Sequence, residues 1–197
     1  VDLRTRGSGP ETLVSLSRVA GLRGIEERGG RVTMGGCTTV SDILRHPEMP
    51  RLGASLVEAA TVFAGQMVRN TATVAGNICC GSPAADLVPP LLALDAAVTL
   101  ESSSGRREVP LAEYFTGYKR SVRAANELLT QVSWPTPHAA SANLFYKLAR
   151  RKGDAITVVG VAVSLAIEGG KCRKARIALG AVAPFVMRAA GAESSLE

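Results

Sequence analysis

Between Phe63 and Asp86 the chain gathers side chains able to hold a ligand: Arg69-Asn70-Thr71-Ala72-Thr73-Val74-Ala75-Gly76-Asn77, followed by Ser82-Pro83-Ala84-Ala85-Asp86. Hydroxyls, amides and small residues are concentrated there with one carboxylate, between two apolar segments. A turn of that make-up lets its backbone approach a large planar or phosphorylated molecule, because Gly and Ala present little side chain to block it. The stretch reads as a cofactor cradle.

Other chemistries find less support. Gly7-Ser8-Gly9-Pro10-Glu11-Thr12 begins like a dinucleotide fingerprint, but Thr12 stands where the third Gly belongs and no strand precedes it, so a Rossmann NAD site is not expected. No Gly-x-Ser-x-Gly nucleophile elbow occurs, which removes the hydrolase reading. Cys37, Cys79, Cys80 and Cys172 lack the paired spacings of zinc or iron–sulfur sites and read as reduced thiols. His46 and His138 sit beside Pro47 and Pro137 with no second ligand near. No catalytic residue and no metal ligand is assigned.

Composition allows one large domain, or a domain with an appendage: 197 residues, 46% of them hydrophobic. The net charge of +6 admits an anionic ligand or acidic partner. Lys147, Arg150, Arg151 and Lys152 form one basic group, and Lys171, Arg173, Lys174 and Arg176 another. With only eight aromatics along the chain, both read as solvated faces, and no nucleic-acid partner is expected. No apolar run reaches the roughly 18 residues of a membrane span and no signal segment opens the chain, so the expected location is cytoplasmic. The chain starts at Val1 and stops at Glu197 within a helical-looking segment, and a fragment truncated at both ends is expected.

The elements that must position the cradle can be read from periodicity. Leu13 to Leu16 suggests a short strand, and Leu22–Glu26 with Arg31–Met34 flank Gly29-Gly30 as a hairpin. Thr39 or Ser41 caps a helix that Pro47 ends. Leu52, Leu56, Ala60, Phe63 and Met67 share one face of a helix running to about Val68. Ser82 and Pro83 look like the N-cap and first position of another helix, with Asp86 in its first turn and Pro89-Pro90 making it short or irregular. A strand over Ala97–Glu101, a polar turn over Ser102–Arg107 and a strand over Glu127–Trp134 follow. The strongest hairpin signal is the alternation Val159 to Ile167, resuming at Ala175 to Ala181 beyond Glu168-Gly169-Gly170-Lys171, with a helical look after Pro184.

Phe63-Ala64-Gly65-Gln66, Arg69-Asn70, Thr73-Val74-Ala75-Gly76-Asn77 and Ser82 to Asp86 closely resemble the flavoprotein part of molybdenum hydroxylases, the xanthine dehydrogenase and carbon monoxide dehydrogenase family. The resemblance extends through Leu22-Arg23-Gly24-Ile25, Gly36-Cys37-Thr38-Thr39, Glu127-Leu128-Leu129 and Phe145-Tyr146-Lys147-Leu148, covering nearly the whole chain. It implies an α+β fold: an FAD-binding domain of the vanillyl-alcohol-oxidase-like type over residues 1–137, lacking a Gly-rich phosphate loop, then a small, incomplete C-terminal domain over 142–197. The flavin is expected between them.

Carried over residue by residue, the resemblance gives Phe63 and Ala64 as helix positions touching FAD, with Thr73 and Gly76 in the turn. Asn77 and Asp86 correspond to polar positions beside the cofactor, Leu128 and Leu129 to its apolar wall, Lys147 to a basic neighbour, and Thr38 and Thr39 to an approaching loop. Asp86 either accepts hydrogen bonds from ribityl or ribose hydroxyls or simply starts a helix. Lys147 either stabilises negative charge on the flavin or is one more basic residue on an exposed strand. Phe63 also fits plain core packing.

The function so implied is an electron-transfer subunit: iron–sulfur clusters on a small subunit feed FAD, a large subunit carries the molybdenum cofactor, and a soluble acceptor takes the electrons. The family's Ala-Gly-Gly-Thr type loop would come directly before a segment like Val1-Asp2-Leu3, and it is absent from this sequence. Two alternatives stand beside that reading: a non-catalytic subunit of the same fold that has lost flavin, and a stand-alone flavin oxidase.

Overall fold

The computed structural model describes residues 10–138 and 141–197; Val1-Asp2-Leu3 and most of the glycine-containing start, Gly7 to Gly9, lie outside them. The strands in chain order are β1 (Ile25–Arg28), β2 (Arg31–Gly35), β3 (Ala97–Ser102), β4 (Gly105–Pro110), β5 (Phe115–Gly117), β6 (Arg120–Ser121), β7 (Leu128–Pro135), β8 (Ser141–Ala149), β9 (Thr157–Glu168), β10 (Lys171–Gly180) and β11 (Met187–Arg188). The α-helices are α1 (Val40–Arg45), α2 (Met49–Leu52), α3 (Ala54–Val62), α4 (Gln66–Arg69), α5 (Val74–Cys79), α6 (Val88–Ala93), α7 (Leu111–Tyr114) and α8 (Ala190–Leu196).

Two antiparallel sheets carry the molecule, one ordered β1-β2-β7-β3-β4 and the other β11-β10-β9-β8, with β5 and β6 as a separate pair. The predicted hairpins are present. Glycines at φ +60° and +74° turn β1 into β2, and Gly169 and Gly170, at φ +58° and +76°, turn β9 into β10, a backbone region that glycine enters without steric cost. Helices α3 and α6 pack against the second sheet. Their buried Leu56, Ala60, Leu91 and Leu92 join one cluster with Val32, Met34, Val98 and Val132 of the first sheet and Ala162 and Ala178 of the second. Trp134 is fully buried, and its indole N–H donates to Leu52 O at 2.8 Å, tying β7 to the end of α2.

Several expectations need correction. The long helix to Val68 is three pieces, α2, α3 and α4. Leu52, Leu56 and Ala60 are buried as the spacing requires, but Met67 is 86% exposed because the chain leaves the helical path at Phe63. Phe63 and Ala64 therefore form a break, with Ala64 at φ +36°. The helix placed at Ser82 begins instead at Val88. Ser82 folds into a local turn, its hydroxyl accepting from Ala84 N at 3.2 Å, while the first turn of α6 takes Pro89, whose missing N–H has no role there. Asp86 thus precedes the helix. Leu13 to Leu16 forms no strand; Ser15 and Ser17 bond each other locally at 2.9 Å instead. The polar turn after Ser102 is only Ser103-Ser104, since Arg106 and Arg107 belong to β4. Beyond Pro184, β11 comes before the helix.

Candidate cofactor cleft

The cradle is built where two chain segments cross. At the end of β2, Gly35 and Gly36 thread between the Leu22–Arg23 backbone and β7: a Cβ on Gly35 would lie 2.5 Å from Leu22 O, and one on Gly36 2.5 Å from Leu129 O. Only glycine permits that approach. Gly36 N–H donates to Thr130 O and Cys37 N–H to Leu22 O, both at 2.7 Å.

The segment then caps α1 through Thr39, whose hydroxyl accepts from Asp42 N at 3.1 Å while Asp42 accepts from Thr39 N at 3.0 Å. Asp42's carboxyl lies below its ordinary range: burial pushes it up, and the bonds from Thr39 outweigh that. Alongside runs the second segment, paired through Thr39 and Thr73. Thr73 caps α5 by accepting from Gly76 N at 3.1 Å. Val74 N–H donates to Thr38 O and Ala75 N–H to Gly36 O, each at 3.0 Å. The opening N–H groups of α5 are therefore spent within the protein, and this wall offers side chains and small-residue surface.

A cleft of about 580 Å³ opens on this crossing. Thr39, Thr71, Thr73 and Asn70 supply hydroxyls and an amide; Ala75, Gly76, Leu16, Leu128 and Leu129 supply apolar surface. Two guanidiniums, Arg23 and Arg123, and the carboxylate of Glu127 complete the lining. Arg123 is held by its own loop, donating to Glu127 O at 2.7 Å. Glu127 is clamped in turn by Arg107, at 2.6 and 2.9 Å, and by Ala124 N at 2.7 Å.

The Arg107 hydrogen bonds, followed by the Ala124 N–H, hold the Glu127 carboxyl down to about 2, from an ordinary value near 4.5. A depressed folded-state value means that this clamp contributes fully above pH ~4.5 and is lost as pH falls through about 2. A carboxyl-carbon NMR titration should place the Glu127 midpoint near 2, with the Arg123–Leu128 rim intact at pH 4. A midpoint near 4.5 would show that the clamp does not form.

Of the residues singled out from sequence, Thr39, Thr73, Gly76, Leu128 and Leu129 share the cleft. Thr38 stands behind it, fully buried, with its hydroxyl donating to Gly24 O at 3.1 Å and accepting from Gly24 N at 3.2 Å. Asn77 Oδ1 accepts from Leu87 N at 3.2 Å and so fastens the turn before α6. Asp86 and Lys147 meet each other: Nζ lies 2.7 Å from Oδ2, both side chains below 10% exposed, and the Thr157 hydroxyl donates to Oδ1. Lys147 also borders a second cavity with Val62, at the end of α3. Sequence reasoning assigned no role to Arg23 and Arg123, which reach the cleft from loops about 100 residues apart.

The break at Phe63-Ala64 has a visible cause. Arg69 Nη1 donates to the carbonyls of Thr61, Phe63 and Ala64 at 3.1, 3.0 and 3.1 Å, collecting the groups that the end of α3 leaves unpaired. Arg69→Met should lower unfolding stability by about 1–2 kcal/mol in a denaturant titration, the range for partly exposed carbonyls losing a charged donor. A change below about 0.5 kcal/mol would mean that water replaces the guanidinium without cost.

The sheets, the helical layer and the cleft define an α+β protein with a polar and apolar cleft at a strand-and-helix crossing. The chain belongs to the family described as FAD binding domain in molybdopterin dehydrogenase, which matches residues 1–137, and residues 144–197 match the CO dehydrogenase flavoprotein C-terminal domain. It is 34% identical over 194 residues to the carbon monoxide dehydrogenase medium chain of Hydrogenophaga pseudoflava, covering 98% of this chain and 67% of that protein. It is 30% identical over 200 residues to the nicotinate dehydrogenase FAD-subunit of Eubacterium barkeri, covering 100% and 68%. A solved carbon monoxide dehydrogenase structure from Hydrogenophaga pseudoflava superimposes with a TM-score of 0.94 at 34% identity, covering 99% of this chain and 68% of that one. The chain thus spans about two thirds of the length of these relatives.

The cleft suits the family's cofactor. Two guanidiniums match a diphosphate, threonine hydroxyls and Asn70 match sugar hydroxyls, and Leu128, Leu129 and Ala75 match flat ring surface.

Proposed function

We propose that this chain is the FAD-carrying, electron-transfer component of a molybdenum hydroxylase or dehydrogenase. What carries the reading is the donor set of the cleft, hydroxyls and two cations beside small and apolar residues, within a chain of this family. FAD, when bound, supplies the capacity to take up and hand on electrons. The chain's own groups bind and orient. Thr39, Thr73 and Gly76 form one wall, Leu128 and Leu129 the apolar wall, and Arg23 and Arg123 neutralise the phosphates.

In this reading the ring end lies near the end of α3, where Phe63 and Ala64 follow Val62, a residue that lines the second cavity with Lys147, and Thr38, Asn77 and Asp86 hold these elements in place. The division at residues 137 and 142 makes Asp86–Lys147 a bridge between two domains. The relatives' names as medium chain and FAD-subunit support partners for this chain too: an iron–sulfur small subunit, a molybdenum-cofactor large subunit and a soluble acceptor in the cytoplasm.

The purified chain should carry a flavin absorption spectrum, or acquire one on incubation with FAD. Colourless protein that cannot be loaded would overturn the reading.

A further inference from the structure

Strand β7 gives Leu128 and Leu129 to the cofactor cleft, and its next two residues, Thr130 and Gln131, line a separate polar pocket of about 290 Å³. Successive strand residues ordinarily point to opposite faces. Here Thr99 pairs with Gln131 and Leu100 with Leu129, which leaves Thr130 as the extra residue of a β-bulge, a distortion that re-aims a side chain. Thr130 is 9% exposed, and its buried hydroxyl has no hydrogen-bond partner among the described residues. A buried hydroxyl left unbonded destabilises a fold, so its place in the lining of a pocket points to a bound group that completes it. The charges around it are also informative. Arg106 is engaged by Gln131 Oε1 at 2.9 Å and by Glu101 at 3.5 Å, leaving the amide nitrogen of Gln131 to donate elsewhere. Arg23, just before β1, and Glu26, on β1, complete the lining, and neither side chain has a hydrogen-bond or ion-pair partner among the described residues.

We propose that this pocket is a second binding site, and that its ligand is a free amino acid with a polar, uncharged side chain. The carboxylate pairs with Arg23 and the ammonium with Glu26, while an oxygen of the ligand's side chain accepts from the Gln131 amide and the Thr130 hydroxyl. Balanced charge is what selects a zwitterion: a simple anion would face Glu26, and a simple cation would face Arg23. No aromatic side chain lines the pocket, so a flat ring finds no stacking partner there. Its volume suits a molecule of amino-acid size. Arg23 borders the cofactor cleft as well, and the five N–H donors of its guanidinium can serve a ligand on each side. The assignment does not depend on what fills the cleft.

The test is an NMR titration of the chain with L-glutamine, following the Thr130 methyl group and the amides of Gly35 and Gln131. Glutaramate, which keeps the carboxylate and the side-chain amide but lacks the ammonium, is the comparison ligand. L-Glutamine should shift these signals saturably, and glutaramate should bind about tenfold more weakly, the scale of one charge-assisted hydrogen bond. Glu26→Gln should weaken L-glutamine binding by a similar factor and erase the preference over glutaramate. Thr130→Val, which keeps the shape and removes the unbonded hydroxyl, should weaken it about fivefold with a thermal midpoint unchanged or raised. Absence of saturable L-glutamine binding, equal affinity for glutaramate, or undiminished binding by Glu26→Gln overturns the proposal. Should Thr130→Val fail to fold, the exposed Glu26 position still decides it.

Discussion

Asp86→Ala is expected to destabilise the fold by about 3–5 kcal/mol, the range for removing one partner of a buried ion pair. The Asp86 side chain is 8% exposed, and its carboxylate bonds both Lys147 and Thr157. Without it, an ammonium on β8 is left nearly dry, with Val62 O at 3.4 Å as its remaining acceptor among the described residues. Asp86→Asn should recover part of the loss, since an amide oxygen still accepts but no longer balances the charge. The double change Asp86→Ala with Lys147→Met should cost far less than the sum of the two single changes. Urea titrations of the four proteins decide it. Additive costs would show that the two side chains do not act as a pair.

Gly36→Ala should cost about 3 kcal/mol, the upper end of ordinary overpacking, because the added Cβ meets backbone. It would sit 2.5 Å from Leu129 O and 3.2 Å from Thr130 C, and the adjoining strands cannot part without breaking the 2.7 Å bond from Gly36 N to Thr130 O. Leu129 and Gly36 both face the cleft, so FAD affinity should fall with stability. Gly117→Ala is the comparison: its Cβ would meet only Arg120 side-chain atoms at 3.8 and 3.9 Å, and little change is expected. Equal thermal midpoints for the two variants would refute the close-approach account.

Where backbone pairing follows from local pattern, the sequence could be read directly. The β9–β10 alternation closes on two glycines, and the Thr39 cap is followed at three residues by Asp42. The α3–α4 break was not legible, because the apolar spacing runs through it unbroken and the competing force is Arg69, which withdraws three carbonyls from the helical path. The strand expected at Leu13 had apolar residues but no partner, as β1 pairs only with β2.

The site divides in the same way. Thr73 and Gly76 are legible because one short turn carries them. Asp86 and Lys147 are separated by 61 positions and meet only through the packing of β8 near α6. Arg23 and Arg123 are single basic residues in loops, and nothing in their local sequence marks the cleft they share.

The internal use of the α5 amides bears on the thermodynamics of loading. A wall whose N–H groups are already bonded to Thr38, Gly36 and Thr73 has little to rearrange when a ligand arrives. Arg123 is likewise tethered beforehand. The ordering penalty of association therefore falls chiefly on Arg23, which makes no side-chain hydrogen bond among the described residues, a loss of about 0.5–1.5 kcal/mol for one immobilised side chain. Around the cleft, the described backbone of FAD-free and FAD-loaded protein should superimpose, with the Arg23 side chain as the group that moves.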